Sequence, residues 1–123
     1  MSSRSIGLSL LLTLSCVTLA QAASEQSSGS QKALRDYYDI QEGKRLYELY
    51  CRFCHGEQGK GKAFDVTPPP ADLTSPTVQE KSDFDLTQII HGGERGTAMG
   101  AWQWTLSDKD KQNVLQYIRS LAR

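Results

Sequence analysis

Apolar residues recur at helical spacing in three stretches of this chain, and glycine- and proline-rich segments separate those stretches. The first helix is predicted to begin near Asp39, which can cap it because Glu42 follows three residues later. Its predicted buried face consists of Leu46, Leu49, Tyr50 and Phe53. This pattern predicts an amphipathic helix that ends in a glycine-containing loop.

The same reasoning predicts a middle and a last helix. Ser82 and Asp85 form a capping pattern for the middle helix, and Gly92-Gly93 ends it. Ser107 caps the last helix, which carries acidic residues in its first turn and arginine in its last. The predicted inward residues are Leu86, Ile89 and Ile90, then Val114, Leu115, Ile118 and Leu121, with Tyr117 alongside. No run of alternating β-branched residues predicts a strand, so we expect an all-α fold.

The N-terminal segment has the layout of a secretory signal peptide. Arg4 precedes a mostly apolar run that is short for a membrane span of ~20 residues, and Ala20-Gln21-Ala22 supplies a cleavage pattern. We therefore expect residues 1–22 to be removed near Ala22/Ala23. A lipoprotein signal at Cys16 is a weaker alternative because Thr13 stands where such a signal needs a large aliphatic residue, and an uncleaved anchor is another.

Composition divides the remaining chain into a linker and one domain. The start of the 23–35 segment is rich in Ser, Gln and Gly and predicts a flexible linker, which leaves 36–123 as a single domain. Without the signal the net charge is about −1, and no basic block predicts binding to nucleic acid or to a membrane surface. We expect a monomer that is not inserted in a membrane.

The decisive motif is Cys51-Arg52-Phe53-Cys54-His55, a C-x-x-C-H pattern that predicts covalent attachment of one haem c. Residues three apart share a face of a helical turn, so both thiols can form thioethers along one porphyrin edge. His55 can then bind the iron. A zinc site would need Cys16 and His91 as further ligands, and a thioredoxin-like pair would need a βαβ pattern. Exported thiols normally form disulfides, so this motif predicts a bacterial-type periplasm with its own haem-ligation machinery.

Met99 is the predicted second iron ligand. It is the sole methionine after the signal, and it lies in a glycine-flanked loop that can approach a haem closely. The alternatives are that Met99 only fills the core, or that His91 is the ligand. For His91, which precedes two glycines at a helix end, a solvent-facing or hydrogen-bonded position is the stronger expectation.

Pro68-Pro69-Pro70 forms a stiff segment whose carbonyls are free to accept hydrogen bonds. A metal-bound histidine usually donates its second ring N–H to such an acceptor, so the Pro70 carbonyl is a candidate partner of His55. A rigid loop without that contact is the alternative. Trp102 and Trp104 are candidates for lining a haem crevice, and plain core packing is the alternative for both.

From about Ile40 to Ala122 the chain resembles the class I cytochromes c, the small bacterial proteins with one haem. The matching parts, in family order, are Gly43, Tyr47, Cys51-x-x-Cys54-His55-Gly56, Pro70-Ala71-Asp72-Leu73, Met99, Leu106-Ser107 and Tyr117-Ile118-Arg119-Ser120-Leu121. The resemblance implies a cytochrome c fold, with three to four helices and loops around one covalently bound haem.

The resemblance also implies particular contacts. The first and last helices would cross at Gly43, with Tyr47 and Tyr117 packed around it, and a proline carbonyl, here Pro70, would bond to His55. Many relatives have proline after the ligand methionine, whereas this chain has Gly100, which implies a more mobile loop.

These observations together predict a periplasmic electron carrier, not an enzyme. Two protein ligands leave the iron no open position for substrate, and the electron would pass to transiently docked redox proteins near Cys54. A haem enzyme or gas sensor with a labile Met99 is one alternative. A dedicated subunit of a periplasmic oxidoreductase or terminal oxidase is the other.

Overall fold

Helices account for all the regular secondary structure in the computed structural model, which describes the backbone of residues 7–122 and the side chains of residues 28–122. Those residues contain no strand, which confirms the all-α prediction. In chain order the helices are α1 (Gly7–Tyr50), α2 (Arg52–His55), α3 (Pro76–Gln79), α4 (Asp83–Gly92) and α5 (Asp108–Ser120). The chain divides into two units, Met1–Asp36 and Tyr37–Arg123.

Helix α1 is longer than predicted. Asp39 lies inside the helix and therefore does not cap it. Its carboxylate pairs instead with Lys109 (Oδ2 to Nζ, 2.8 Å), and Glu42 pairs with Arg45. The flexible linker predicted for 23–35 stays a prediction, and the backbone of those residues is helical in the structure. The stretch contains no proline, so nothing forces the helix to stop, and a capping pattern marks only a possible start.

The predicted signal peptide stays a prediction. Its first six residues lie outside the described backbone, and the side chains up to residue 27 lie outside the described residues as well. Within the part of the chain that was described, no helix combines the length and the apolar composition that a membrane crossing requires.

Helices α1 and α5 cross at Gly43. A Cβ atom at this position would lie 1.9 Å from the Asn113 carbonyl oxygen, so only glycine permits the observed approach. Beside the crossing, the rings of Tyr47 and Tyr117 lie 5.2 Å apart, and Tyr47 is fully buried. The contacts that the family resemblance implied for these three residues are confirmed.

The buried face of α1 is narrower than predicted. Leu46 is buried, but Leu49 is 60% exposed and Phe53 is 71% exposed. Leu49 lies roughly a third of a turn from the face that contacts α5, because each residue advances a helix by about 100°. Phe53 belongs to the separate helix α2 and packs on Phe64, with ring centres 4.9 Å apart.

The capping predictions for α4 and α5 are confirmed. The Ser82 hydroxyl accepts a hydrogen bond from the Asp85 backbone N–H (3.1 Å). Ser107 and Asp110 form a complete capping box, in which each side chain bonds to the other residue's backbone N–H. The buried apolar residues of the two helices are Leu86, Ile90, Val114, Leu115 and Ile118. Ile89, Tyr117 and Leu121 pack around them and are partly buried.

The short helix α3, which the sequence analysis did not predict, is joined to α5 by Arg119. The guanidinium donates to the carbonyls of Gln79 (2.7 Å) and Lys81 (2.6 Å) and pairs with Asp83 (2.7 Å). The Gln79 side chain also donates to the Ile118 carbonyl (3.2 Å). These bonds fix the segment that precedes α4 against the last helix.

Candidate haem site

A cavity of about 350 Å³ lies within the unit Tyr37–Arg123. Its wall contains the predicted attachment and ligand residues Cys51, Cys54, His55 and Met99, together with Pro70. The rest of the wall is mainly apolar and includes Val66, Leu73, Val78, Leu86, Ile89, Ile90, Leu106 and Ile118. The fold therefore brings two thiols, an imidazole and a thioether to one apolar cavity.

The C-x-x-C-H motif lies at the junction of α1 and α2, and its two cysteines and His55 line the cavity. Helix α1 ends at Tyr50 and α2 begins at Arg52, so that Cys51 alone lies between them. The His55 N–H donates to the Cys51 carbonyl (2.9 Å), which keeps the motif in a helical turn. Cys51 and Cys54 are free thiols, both partly exposed, and both line the cavity. Burial and, to a smaller extent, the neighbouring Cys54 raise the pKa of the Cys51 thiol to about 11, so that thiol is protonated at neutral pH.

His55 has a different backbone partner from the one predicted. Its Nδ1 atom lies 3.0 Å from the carbonyl oxygen of Ala71, the residue after Pro70. The Pro70 carbonyl oxygen instead lies against Gly61, where a Cβ atom would approach it to 2.1 Å. Successive groups along an extended chain point to opposite sides, so the next carbonyl is the one that reaches His55. Pro70 itself lines the cavity.

The Ala71 contact orients the imidazole. A hydrogen bond from Nδ1–H to a carbonyl leaves Nε2 with the lone pair that a metal requires. Burial lowers the pKa of His55, although the bond to Ala71 partly opposes that shift. The neutral form, which is the metal-binding form, is therefore favoured near neutral pH.

Three further hydrogen bonds fix the loop that follows His55. The Tyr47 hydroxyl donates to the Gly56 carbonyl (2.6 Å). The Gly61 N–H donates to the His55 carbonyl (2.8 Å), and the Leu73 N–H donates to the Gly59 carbonyl (2.7 Å). Burial raises the pKa of Tyr47, so its hydroxyl stays protonated and remains a donor.

Met99 lies in a loop that folds back on the end of α4. The Glu94 N–H donates to the Met99 carbonyl (3.0 Å), and the Met99 N–H donates to Thr97 Oγ1 (3.0 Å). Gly93, with φ +77°, allows the chain to close, because a Cβ there would lie 2.6 Å from the Met99 carbonyl oxygen. Beyond the loop, the Trp102 N–H donates to the Ile90 carbonyl (3.1 Å).

The alternative ligand His91 is placed differently. Its Nδ1 atom lies 2.9 Å from Nζ of the buried Lys111, and His91 is not part of the cavity wall. Lys111 also pairs with Asp108 (2.7 Å). This arrangement agrees with the expectation of a hydrogen-bonded histidine at the end of α4.

The two tryptophans differ. Trp102 lines the cavity and packs on Tyr50, with ring centres 5.5 Å apart. Trp104 is 90% exposed and does not line the cavity, so the prediction that it lines the crevice is wrong. It lies two residues beyond Trp102 in a turn, where its ring points into solvent. Among the described residues, no group of three or more His, Cys, Asp or Glu side chains is placed to hold a metal ion.

A protein-family model described as cytochrome C oxidase, cbb3-type, subunit III matches residues 39–118. The chain belongs to this family. A curated relative, the cbb3-type cytochrome c oxidase subunit CcoP of Azospirillum brasilense, is 29% identical over 94 residues. The match covers 74% of this chain and 31% of that relative, so the chain spans about a third of the relative's length.

Family membership identifies a class I c-type cytochrome domain, whose cofactor is haem c and whose role is electron transfer. The donor set of the cavity fits this cofactor. Thiols suit thioether attachment, while an imidazole and a thioether are the axial ligands of the His/Met cytochromes. The apolar wall suits the flat face of a porphyrin.

Two residues that support the site were missed by the sequence analysis. Ala71 was missed because which of two adjacent carbonyls faces a side chain depends on backbone direction. Thr97 was missed although it had a visible signal, since Thr and Ser two residues before a loop position commonly accept its backbone N–H.

Proposed function

We propose that this protein carries single electrons between redox proteins through one haem c, attached covalently to Cys51 and Cys54 and ligated by His55 and Met99. The observation that supports this most strongly is the shared cavity, whose wall contains all four side chains. When bound, the haem supplies one-electron chemistry by cycling its iron between the ferric and ferrous states.

The chain's own residues perform four tasks in this proposal. The two cysteine sulfurs hold the cofactor in place. Ala71 orients His55 through Nδ1. Met99 would supply the second protein ligand to the iron and leave no open position for a substrate, which favours an electron carrier over an enzyme. The apolar wall excludes water and thereby limits the reorganisation that accompanies a change of charge.

The preferred partner is a terminal oxidase. The matched family and the relative from Azospirillum brasilense both carry the name of a cbb3-type cytochrome c oxidase subunit, which favours electron delivery to an oxidase. We propose that the chain acts either as a soluble carrier that docks transiently or as a dedicated subunit. Both assignments share the same redox chemistry and differ in the lifetime of the complex.

The proposed location is the periplasm. Cleavage near Ala22/Ala23 would release residues 23–123 there as a monomer, and covalent attachment of haem c requires that compartment's ligation machinery. Mass spectrometry of the natural protein tests the cleavage and the attachment of one haem. We expect the mass of residues 23–123 plus one haem; retention of the segment 1–22 would contradict the cleavage.

The function itself is tested by redox titration of the purified haem-loaded protein. We expect one reversible step with a slope of one electron, rapid reduction or oxidation by another c-type cytochrome, and no turnover of peroxide. Sustained peroxide turnover would favour the alternative of a haem enzyme.

Covalent attachment is tested with the double variant Cys51→Ser/Cys54→Ser. We expect acidified organic solvent to extract haem from this variant and not from the natural protein. Extraction from both would contradict attachment through these thiols.

Fractionation of native cells separates the two partner assignments. Stable co-purification with oxidase chains favours the dedicated subunit, and recovery in the soluble fraction favours the transient carrier.

A further inference from the structure

One hydroxyl group closes the loop that carries Met99. Thr97 Oγ1 accepts a hydrogen bond from the Met99 N–H (3.0 Å) and donates one to the Glu94 carbonyl (2.9 Å). The hydroxyl thus connects the start of the loop to Met99, and both Thr97 and Met99 line the cavity.

Few other hydrogen bonds within the protein hold this part of the chain. None of the residues 94–98 is buried in the protein's own core, and Glu94, Thr97 and Ala98 line the cavity. The bond from the Glu94 N–H to the Met99 carbonyl closes the loop once, while the backbone bond from Thr97 to Glu94 is long, at 3.3 Å. Gly100 follows Met99 and adds no restraint of the kind that proline would give.

We propose that Thr97 is a positioning residue for Met99, and that its hydroxyl sets how readily an added ligand displaces the thioether from the iron. The inference rests on the proposed function, since it requires Met99 to be an axial ligand. It goes further by assigning control of that bond to a side chain that does not itself touch the iron.

The physical reason is the fate of the Met99 N–H. In the closed loop this donor has Thr97 as its partner, whereas in an opened loop water can satisfy it. Without the hydroxyl, the closed loop loses one bond at Met99 and another at Glu94, and the opened loop loses neither. Two bonds of ordinary strength shift such an equilibrium toward opening by about tenfold.

The test is titration of the oxidised haem-loaded protein with imidazole, which competes with Met99 for the iron. Thr97→Val keeps the shape of the side chain without the hydroxyl, and Thr97→Ser restores a hydroxyl. Thr77→Val controls for the loss of an exposed threonine hydroxyl away from the cavity, and Thr97→Ser controls for the place of Thr97 in the cavity wall. We expect Thr97→Val to bind imidazole about tenfold more tightly than the natural protein. Thr97→Ser and Thr77→Val should bind it like the natural protein.

Hydrogen exchange gives a readout that does not depend on ligand binding. We expect the Met99 amide to exchange faster in Thr97→Val than in the natural protein, and at the natural rate in Thr97→Ser and Thr77→Val. If Thr97→Val does not give folded protein, Thr97→Ala carries the same test.

The two proposals fail in different ways. If the natural protein lacks the far-red charge-transfer band of sulfur–iron ligation, the Met99 assignment is wrong, and this inference fails with it. If that band is present and Thr97→Val binds imidazole like the natural protein, the role of Thr97 is wrong while the proposed function stands. The inference is also overturned if Thr97→Ser behaves like Thr97→Val.

Discussion

The two sides of the cavity are built in different ways. On the His55 side, the loop from residue 56 to residue 73 is fixed by buried groups, among them the fully buried Tyr47, and the Ala71 carbonyl faces the imidazole. On the Met99 side, the loop residues Glu94, Thr97, Ala98 and Met99 line the cavity, and a few bonds among the loop's own residues close it. The position of the His55 side therefore depends on contacts with the protein core, whereas the position of the Met99 side depends mainly on bonds within its own loop.

This difference indicates that the two sides of the cavity have different roles. The His55 side is tied to buried residues such as Tyr47 and Leu73, whereas the Met99 side is tied mainly by bonds within its own loop. Under the proposed function, the firmly held side suits the residue that keeps the cofactor in place, and the less firmly held side suits a ligand that small molecules can displace. Substitutions with the same chemistry should therefore have unequal effects on the two sides.

The largest contrast is expected between Gly61→Ala and Gly96→Ala. Both glycines have positive φ, +72° and +75°, so alanine adds a similar backbone strain of about 1–2 kcal/mol at each. At Gly61 the new Cβ would also lie 2.1 Å from the Pro70 carbonyl oxygen, whereas at Gly96 nothing lies within 4 Å. Displacing that backbone adds about 1–3 kcal/mol at Gly61 alone.

Guanidinium unfolding of the haem-loaded protein measures this contrast. We expect Gly61→Ala to lose about 2–5 kcal/mol of unfolding free energy and Gly96→Ala about 1–2 kcal/mol. Equal losses would show that the two sides are equally constrained and would contradict the comparison.

The next effect concerns the buried hydroxyl of Tyr47. Tyr47→Phe removes one of the two donors to the Gly56 carbonyl and leaves the Gly59 N–H (3.2 Å), so we expect a loss of about 0.5–1.5 kcal/mol of unfolding free energy. Tyr38→Phe is the matched control, since Tyr38 is 63% exposed and should change stability by less than about 0.5 kcal/mol. Thermal unfolding followed by circular dichroism compares the two variants. If Tyr47→Phe is as stable as the natural protein, the Tyr47 hydroxyl does not help to fix the His55 side.

The smallest effect is expected at the start of α5, where Asp108 pairs with the buried Lys111. The hydrogen bond from Lys111 lowers the pKa of Asp108, so the ionised carboxylate stabilises the folded state above the ordinary pKa of about 4. That contribution is lost as the pH falls and the carboxylate is protonated.

Asp108→Asn should therefore lower the melting temperature slightly at pH 7, and the difference from the natural protein should shrink as the pH falls below about 4. Glu57→Gln, a change at an exposed carboxylate, controls for the change in net charge. A difference that stays constant with pH would exclude the ion pair as its cause.

The sequence predicted most of the fold where the signal was local. The caps at Ser82 and Ser107 and the inward residues of the last two helices follow from contacts within a few residues, and all are found in the structure. The start of α1 was not predictable in this way. Asp39 and Glu42 have the spacing of a capping box, but Asp39 forms a salt bridge with Lys109 and Glu42 forms one with Arg45.

The candidate site divides in the same manner. Cys51, Cys54, His55 and Met99 could be named from motif and composition, and they do line one cavity. The partner of His55 could not, because the choice between Pro70 and Ala71 depends on which carbonyl Gly61 approaches. The burial of Lys111 was equally hidden, since it depends on His91 from another helix.

The central claim is that His55 and Met99 close both axial positions of one haem. The most direct test is the optical spectrum of the haem-loaded protein, oxidised and reduced, with and without carbon monoxide, beside Met99→Ala and His91→Ala. We predict a low-spin spectrum with the far-red sulfur–iron band that carbon monoxide leaves unchanged. His91→Ala should match it, and Met99→Ala should lose the band and bind carbon monoxide. A high-spin natural protein that binds carbon monoxide readily, or loss of the band in His91→Ala alone, would contradict the account.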